Sequence, residues 1–155
     1  MDNLKPQELL GLGIKLLKDG KYWDALNTIK AAIEKGRYDM DNMPPDYLSY
    51  LGLATALAEK RYRDAANFCE RALKKEFYNP AYYLNLGRVY FAGGHRRKAI
   101  NAFYNGLKID KNHKGIIEEL NRIGVRRSPI ISFLPRKNVL NKFLGNLVHR
   151  VEGRG

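Results

Sequence analysis

Residues Leu86 to Leu107 read LGRVYFAGGHRRKAINAFYNGL, and the same pattern, locally edited, stands twice upstream. Its markers are Leu86-Gly87, Tyr90, Gly94, Arg96, Ala99, Phe103 and Gly106-Leu107. Leu12-Gly13, Leu16, Gly20, Tyr22, Ala25, Ile29 and Ala32-Ile33 repeat them with identical spacing. Tyr62, Ala65, Cys69 and Ala72-Leu73 form a middle copy, in which Leu51-Gly52 comes one residue too early. Either its inter-helix turn is one residue longer or its small-residue position has slipped. Ala65 and Ala99 are 34 residues apart and Ala25 and Ala65 are 40 apart, so six extra residues separate the first two copies. They fall around Met40 to Pro45, where Asp, Asn and two prolines favour a loop. A unit of this size cannot bury its apolar face alone and must stack on its neighbours.

Each copy reads as two helices. Leu9, Leu12, Gly13, Leu16 and Leu17 recur at intervals of three and four, and so do Ala25, Ile29, Ala32 and Ile33. These stripes are core. Gly20 and Gly93-Gly94 stand where the chain must reverse, since glycine takes positive φ at no steric cost. Gly13, Gly87, Ala25, Ala65 and Ala99 recur on helical faces, where small side chains let helix axes approach closely.

The set of Leu-Gly, Tyr, Gly, Tyr, Ala, aromatic and Ala positions resembles the tetratricopeptide repeat. The resemblance runs from about Pro6 to His113 and implies an all-α, right-handed superhelical solenoid of three helix-turn-helix repeats, about 6–39, 46–79 and 80–113. Against the family pattern, Leu9, Ser49 and Tyr83 hold the usual tryptophan position, Arg96 replaces a tyrosine, Gly106 an alanine, and Arg37 and Lys111 the closing proline. The third repeat is therefore the least regular.

Ile116, Ile117, Leu120 and Ile123 give residues 114–123 one apolar face, read as a capping helix over the last repeat and closing a domain of residues 1–124. A basic extension, 125–155, follows. Its Val125 to Arg136 segment is extended, because Pro129 and Pro135 bracket Ile130, Ile131, Phe133 and Leu134. Asn138 can cap an amphipathic helix over 139–151, striped by Val139, Leu140, Phe143, Leu144, Leu147, Val148 and Val151. The extension looks like that of some small bacterial members of the family. It can fold back on the solenoid, self-associate through its stripe, or lie on an anionic membrane, with Arg126, Arg127, Arg136, Lys137, Lys142 and Arg150 as its contact surface.

The chain carries 28 Lys and Arg against 16 Asp and Glu, a net charge of +12, and Arg122 to Gly155 contains eight of the cations and a single acid. That balance favours acidic partners: an acidic protein, nucleic acid or anionic lipid. No targeting signal opens the sequence and no run reaches the length of a membrane span, so a cytoplasmic protein is expected. Catalysis finds little support. His95, His113 and His149 are scattered, with no ligand spacing for a metal. Cys69 takes the place of Ile29 and Phe103 in the other copies and reads as a buried apolar residue. Glu118 and Glu119 diverge around a helix and cannot act as a pair. No enzyme activity, cofactor or metal is expected.

Binding is the stronger reading. By resemblance, the first helices of the repeats line a groove that takes a protein or peptide partner. The candidate contact residues are Gln7, Leu10, Ile14 and Lys18, then Tyr47, Tyr50 and Ala54, then Leu84, Asn85, Arg88 and Phe91. Asparagine can hold a peptide backbone, arginine a carboxylate, and rings supply contact area. Tyr50 and Phe91 can equally serve as core between repeats. A subgroup of the family clamps the C-terminal carboxylate of heat-shock chaperones with Lys, Asn and Arg; the matching positions here are Leu10, Ile14, Leu51, Ala81 and Asn85, which do not fit. Nucleic-acid or membrane binding through the basic tail is the alternative. RNA is the weaker part of it, since rings and cations do not interleave.

Overall fold

The computed structural model describes residues 3–124, which hold seven α-helices and, among the described residues, no strand. They are α1 (Pro6–Lys18), α2 (Tyr22–Gly36), α3 (Pro45–Glu59), α4 (Tyr62–Lys75), α5 (Pro80–Ala92), α6 (Arg96–Ile109) and α7 (Lys114–Arg122). The chain divides into two compact units, Met1–Leu120 and Asn121–Gly155. The extended segment and helix expected beyond residue 124, with Arg126, Arg127, Arg136, Lys137, Lys142 and Arg150, lie outside the described residues.

Three hairpins, α1–α2, α3–α4 and α5–α6, stack in chain order, with α2 against α3 and α4 against α5. Each first helix opens on a proline at its first turn, Pro6, Pro45 and Pro80, where the missing N–H is not needed and φ is preset for a helix. Asn79 adds a true cap before α5, its side chain accepting from the Ala81 amide at 3.1 Å. The second helices bury the same register in every copy: Ala25, Ile29 and Ala32; Ala65, Cys69 and Ala72; Ala99, Phe103 and Gly106.

The small first-helix residues make these hairpins close. A methyl group on Gly13 would come within 2.6 Å of the Ile29 side chain, on Gly87 within 2.2 Å of the Phe103 ring, and on Gly52 within 2.6 Å of both the Ala65 carbonyl oxygen and the Cys69 sulfur. Gly52 therefore holds the same place as its counterparts and has not slipped. The extra residue lies at the end of α3, which runs to Glu59 before the chain reverses. Lys60 reverses it in the left-handed conformation, φ 61°, where the other turns use Gly20 at 75° and Gly94 at 79°.

α3 is the centre of the stack. It packs on α1, α2, α4 and α5, and ten of its fifteen residues are buried, so it is apolar on nearly every side rather than along one stripe. The insertion ahead of it folds on itself: Asp39 accepts from the amides of Asp41 and Asn42, both at 2.9 Å, and Met43 is buried. Those amide bonds hold the Asp39 carboxyl below its usual range. Arg71 of α4 donates to the Met40 carbonyl at 2.7 Å and ties the loop to the second hairpin.

At the far end, α7 lies on the third hairpin. Ile116 is fully buried, and a methyl group on Gly106 would come within 2.4 Å of its Cδ1. The glycine that departs from the repeat pattern is thus the seat of the cap. Among the described residues no helix is long and apolar enough to cross a membrane.

The glycines give a paired test. Gly52→Ala forces a methyl against backbone oxygen and should destabilise by about 2 kcal/mol, as overpacking does. Gly11→Ala, with nothing within 4 Å of the new methyl, should gain about 0.5–1 kcal/mol of helix propensity. Urea unfolding of the two variants reads both signs; equal effects would contradict the close approach at Gly52.

Candidate functional site

The first helices α1, α3 and α5 run side by side, because α3 packs on both the others. Two bonds between α3 and α5 show that they point the same way. Tyr82 donates its hydroxyl to Asp46 at 2.7 Å, and Asn85 donates its amide to the Ser49 hydroxyl at 3.0 Å. Both pairs span the same sequence interval, 36 residues, as only parallel helices in register allow. The result is one face built from three successive parallel helices.

The bonds that align the helices also consume some of the residues expected to meet a ligand. Asn85 is 2% exposed, and its amide is spent on Ser49. Ser49 in turn accepts the Cys69 thiol on its backbone carbonyl at 3.5 Å, so a buried polar chain links α5, α3 and α4. Tyr47 is buried with its ring edge-on to Tyr38, centroids 5.0 Å apart, and its hydroxyl finds no hydrogen-bond partner. Leu10, Ala54 and Leu84 are buried too. The groove roles expected of Tyr47 and Asn85 are therefore replaced by core and inter-helix roles. Asn85 is accommodated there because it and Ser49 satisfy each other, and Tyr47 because its ring packs edge-on against Tyr38.

Gln7, Lys18, Ile14, Tyr50, Arg88 and Phe91 remain at least partly exposed. Tyr50 sits between unlike charges: burial and the Asp46 carboxylate raise its pKa, and Arg88 opposes them. Arg88 donates from Nε to Glu119 of α7 at 2.7 Å, its side chain still 37% exposed. The face thus has an aromatic and aliphatic middle, with cations at Lys18 and Arg88.

Among the described residues, no cluster of three or more His, Cys, Asp or Glu could hold a metal. Cys69 is fully buried, and burial pushes its thiol well above the usual range, which suppresses the thiolate a nucleophile needs.

Two measurements probe this arrangement. Asn85→Ala should cost about 2 kcal/mol, because it leaves a cavity and an unpaired buried hydroxyl. In a double-mutant cycle with Ser49→Ala the two changes should couple by about 1 kcal/mol; strict additivity would place Asn85 elsewhere. The second is alkaline. Burial first, and then the neighbouring Tyr38 hydroxyl, push Tyr47 up from 10.0 to about 12, and the hydroxyls of Tyr82 and Tyr90 are raised too. Below pH 10 both folded and unfolded chains keep these protons. Between about pH 10 and 12 the unfolded chain loses them first, so stability should fall with rising pH across that window. Urea midpoints should decline there, and Tyr47→Phe should make the decline shallower; an unchanged slope would refute the assignment.

Residues 56–115 match the sequence pattern of the tetratricopeptide repeat family. No curated protein matches this chain. Solved structures share its fold. The first tetratricopeptide domain of human RPAP3 aligns with a TM-score of 0.59 at 21% identity over 76% of this chain and 88% of that one. The first such domain of Spaghetti, bound to the HSP90 peptide SRMEEVD, gives 0.58 at 22% over 77% and 92%. The Yersinia enterocolitica type III secretion chaperone SycD, in complex with a peptide of the translocator YopD, gives 0.53 at 17% over 76% and 85%. The tetratricopeptide-repeat match thus covers residues 56–115, and the stack of three helical hairpins around it has the fold of these tetratricopeptide domains.

Proposed function

We propose that the chain is a non-catalytic interaction module that holds an extended or helical segment of an acidic protein along α1, α3 and α5. The observation that carries this is the parallel, in-register alignment of the three helices, which leaves Ile14, Tyr50 and Phe91 partly exposed between the cations Lys18 and Arg88. Rings and aliphatic side chains supply contact area at low entropic cost, and the cations select for carboxylates. The similar structures of Spaghetti and SycD hold peptides, which supports a peptide ligand for this face. It does not carry over their ligands. Leu10 and Leu51 are buried and apolar and Asn85 is spent on Ser49, so no carboxylate clamp of the heat-shock type is formed.

The partner's recognition is accordingly by side-chain carboxylates and apolar anchors along the segment. The test is binding of the full chain to a pool of displayed acidic peptides and to the same pool with its acids replaced by lysine. The acidic pool should be enriched. Lys18→Gln, which removes the charge at an exposed position, and Arg88→Gln should each weaken the selected peptides about tenfold, roughly 1.4 kcal/mol. Equal capture of both pools, or affinities that ignore both substitutions, would contradict the proposal.

A further inference from the structure

The parallel first helices place all three hairpin turns, at Asp19–Lys21, Lys60–Arg61 and Gly93–His95, along one edge of the stack. The third is directly beside the second: a methyl group on Gly93 would come within 3.1 Å of Tyr62. This edge is separate from the face assigned to the peptide.

The copies differ there in charge. In the first two, the second helix opens as Tyr22-Trp23-Asp24-Ala25 and Tyr62-Arg63-Asp64-Ala65, with an acid in the first turn, as the positive end of a helix dipole prefers. In the third the same positions read Arg96-Arg97-Lys98-Ala99, with no acid in the first turn. All three cations are exposed, at the end of a helix where positive charge is unfavourable. The Lys98 ammonium lies over the Tyr90 ring, 5.4 Å from its centroid, and so leaves this ring covered. Lys60 and Arg63 of the neighbouring turn are exposed as well, while Arg61 is answered by Asp64 and Glu59. At the other end of the edge, Trp23 is 59% exposed, between an exposed Tyr22 and an exposed Asp24, with Lys21 just before them.

We propose that this edge docks on the surface of an anionic lipid bilayer, with the cations of the second and third turns facing the headgroups and Trp23 entering the interfacial layer. A row of turns meets a broad surface and offers no furrow for a strand or helix. The exposed indole and phenol have the apolar body and polar tip that favour a membrane interface. A single-stranded nucleic acid would need open rings interleaved with the cations to stack its bases, whereas the exposed Tyr22 and Trp23 stand together at the first turn and, at the third, His95 is edge-on to a Tyr90 ring that lies under Lys98. Each Lys or Arg near an anionic surface strengthens binding about fivefold, so the three substitutions of the third turn are worth on the order of a hundredfold.

Trp23 is the chain's single tryptophan, so its fluorescence reports on this edge alone. The full chain is mixed with vesicles of equal phosphatidylcholine and phosphatidylglycerol, with vesicles of phosphatidylcholine alone, and with single-stranded oligouridine. Emission should shift to the blue and be quenched by brominated lipid only with the anionic vesicles. Rewriting the third turn in the style of the other copies, as Arg96→Tyr, Arg97→Gln and Lys98→Asp, should lower vesicle affinity about a hundredfold with the helical circular dichroism retained. Anionic vesicles that bind without moving Trp23 emission would assign the binding to another part of the chain and overturn the proposal. So would no vesicle binding, equal binding to neutral vesicles, or an emission shift with oligouridine and none with lipid. None of these outcomes bears on peptide capture by α1, α3 and α5.

Discussion

The close approach of helices at Gly13, Gly52 and Gly87 is the constraint on which the rest of the structure depends. Each glycine leaves its partner helix nowhere else to go: Ile29, Cys69 and Phe103 fill the space that a side chain would need. The cost of glycine in a helix, about 1 kcal/mol relative to alanine, is offset by the contact area gained across each hairpin, at about 25 cal/mol for every Å² of apolar surface buried. The consequence is sharpest at Gly52, because α3 is packed on by four other helices and the obstacle there is backbone, which cannot turn aside as a side chain can. α3 therefore sets the position of both neighbouring hairpins.

From that spacing follows the parallel alignment of α1, α3 and α5, and from the alignment the division of labour among their polar residues. Those at the inter-helix seams, Asp46, Ser49, Tyr82 and Asn85, are bonded to one another, since a polar group left unpaired at such a seam costs more than a made bond contributes. Those beyond the seams, Lys18, Tyr50 and Arg88, are left to face outwards. Arg88 also bonds Glu119 of α7, so the helix that seals the last repeat and the cation offered by that repeat are held together. The turns, which take no part in the seams, are free to vary between copies. The third carries three cations where each of the other two has an acid in the first turn of its second helix.

Most of the fold was legible because it is periodic. Spacings of three, four and 34 residues announce helices and repeats whatever the tertiary details. The longer α3 was legible only as an ambiguity, since a shifted glycine and a longer helix look alike in one dimension; the packing of Gly52 on Ala65 and Cys69 separates them. The site was less legible for a different reason. A helical register says which residues share a face, but it does not say where the seam between two helices stops and the open surface begins. Asn85 and Arg88 differ by three positions on one helix, and one is buried against Ser49 while the other is partly exposed. A hint was present: Ser49 stands where a large apolar residue is usual, 36 residues before Asn85, and two small polar side chains one repeat apart in buried stripes are natural partners. Glu119 carried no such hint, because its pairing with Arg88 depends on how closely α7 seats against Gly106.

The most direct measurement is nuclear magnetic resonance mapping of the amide shifts of the isotope-labelled full chain as an acidic peptide selected by it is added. The expected perturbations are contiguous across three helices, centred on Ile14 and Lys18, Tyr50, and Arg88 and Phe91, with the buried amides around Ala25, Ala65 and Ala99 unmoved. Perturbations gathered instead on α2, α4 and α6, or scattered without a common face, would contradict the assignment of the ligand to the parallel first helices.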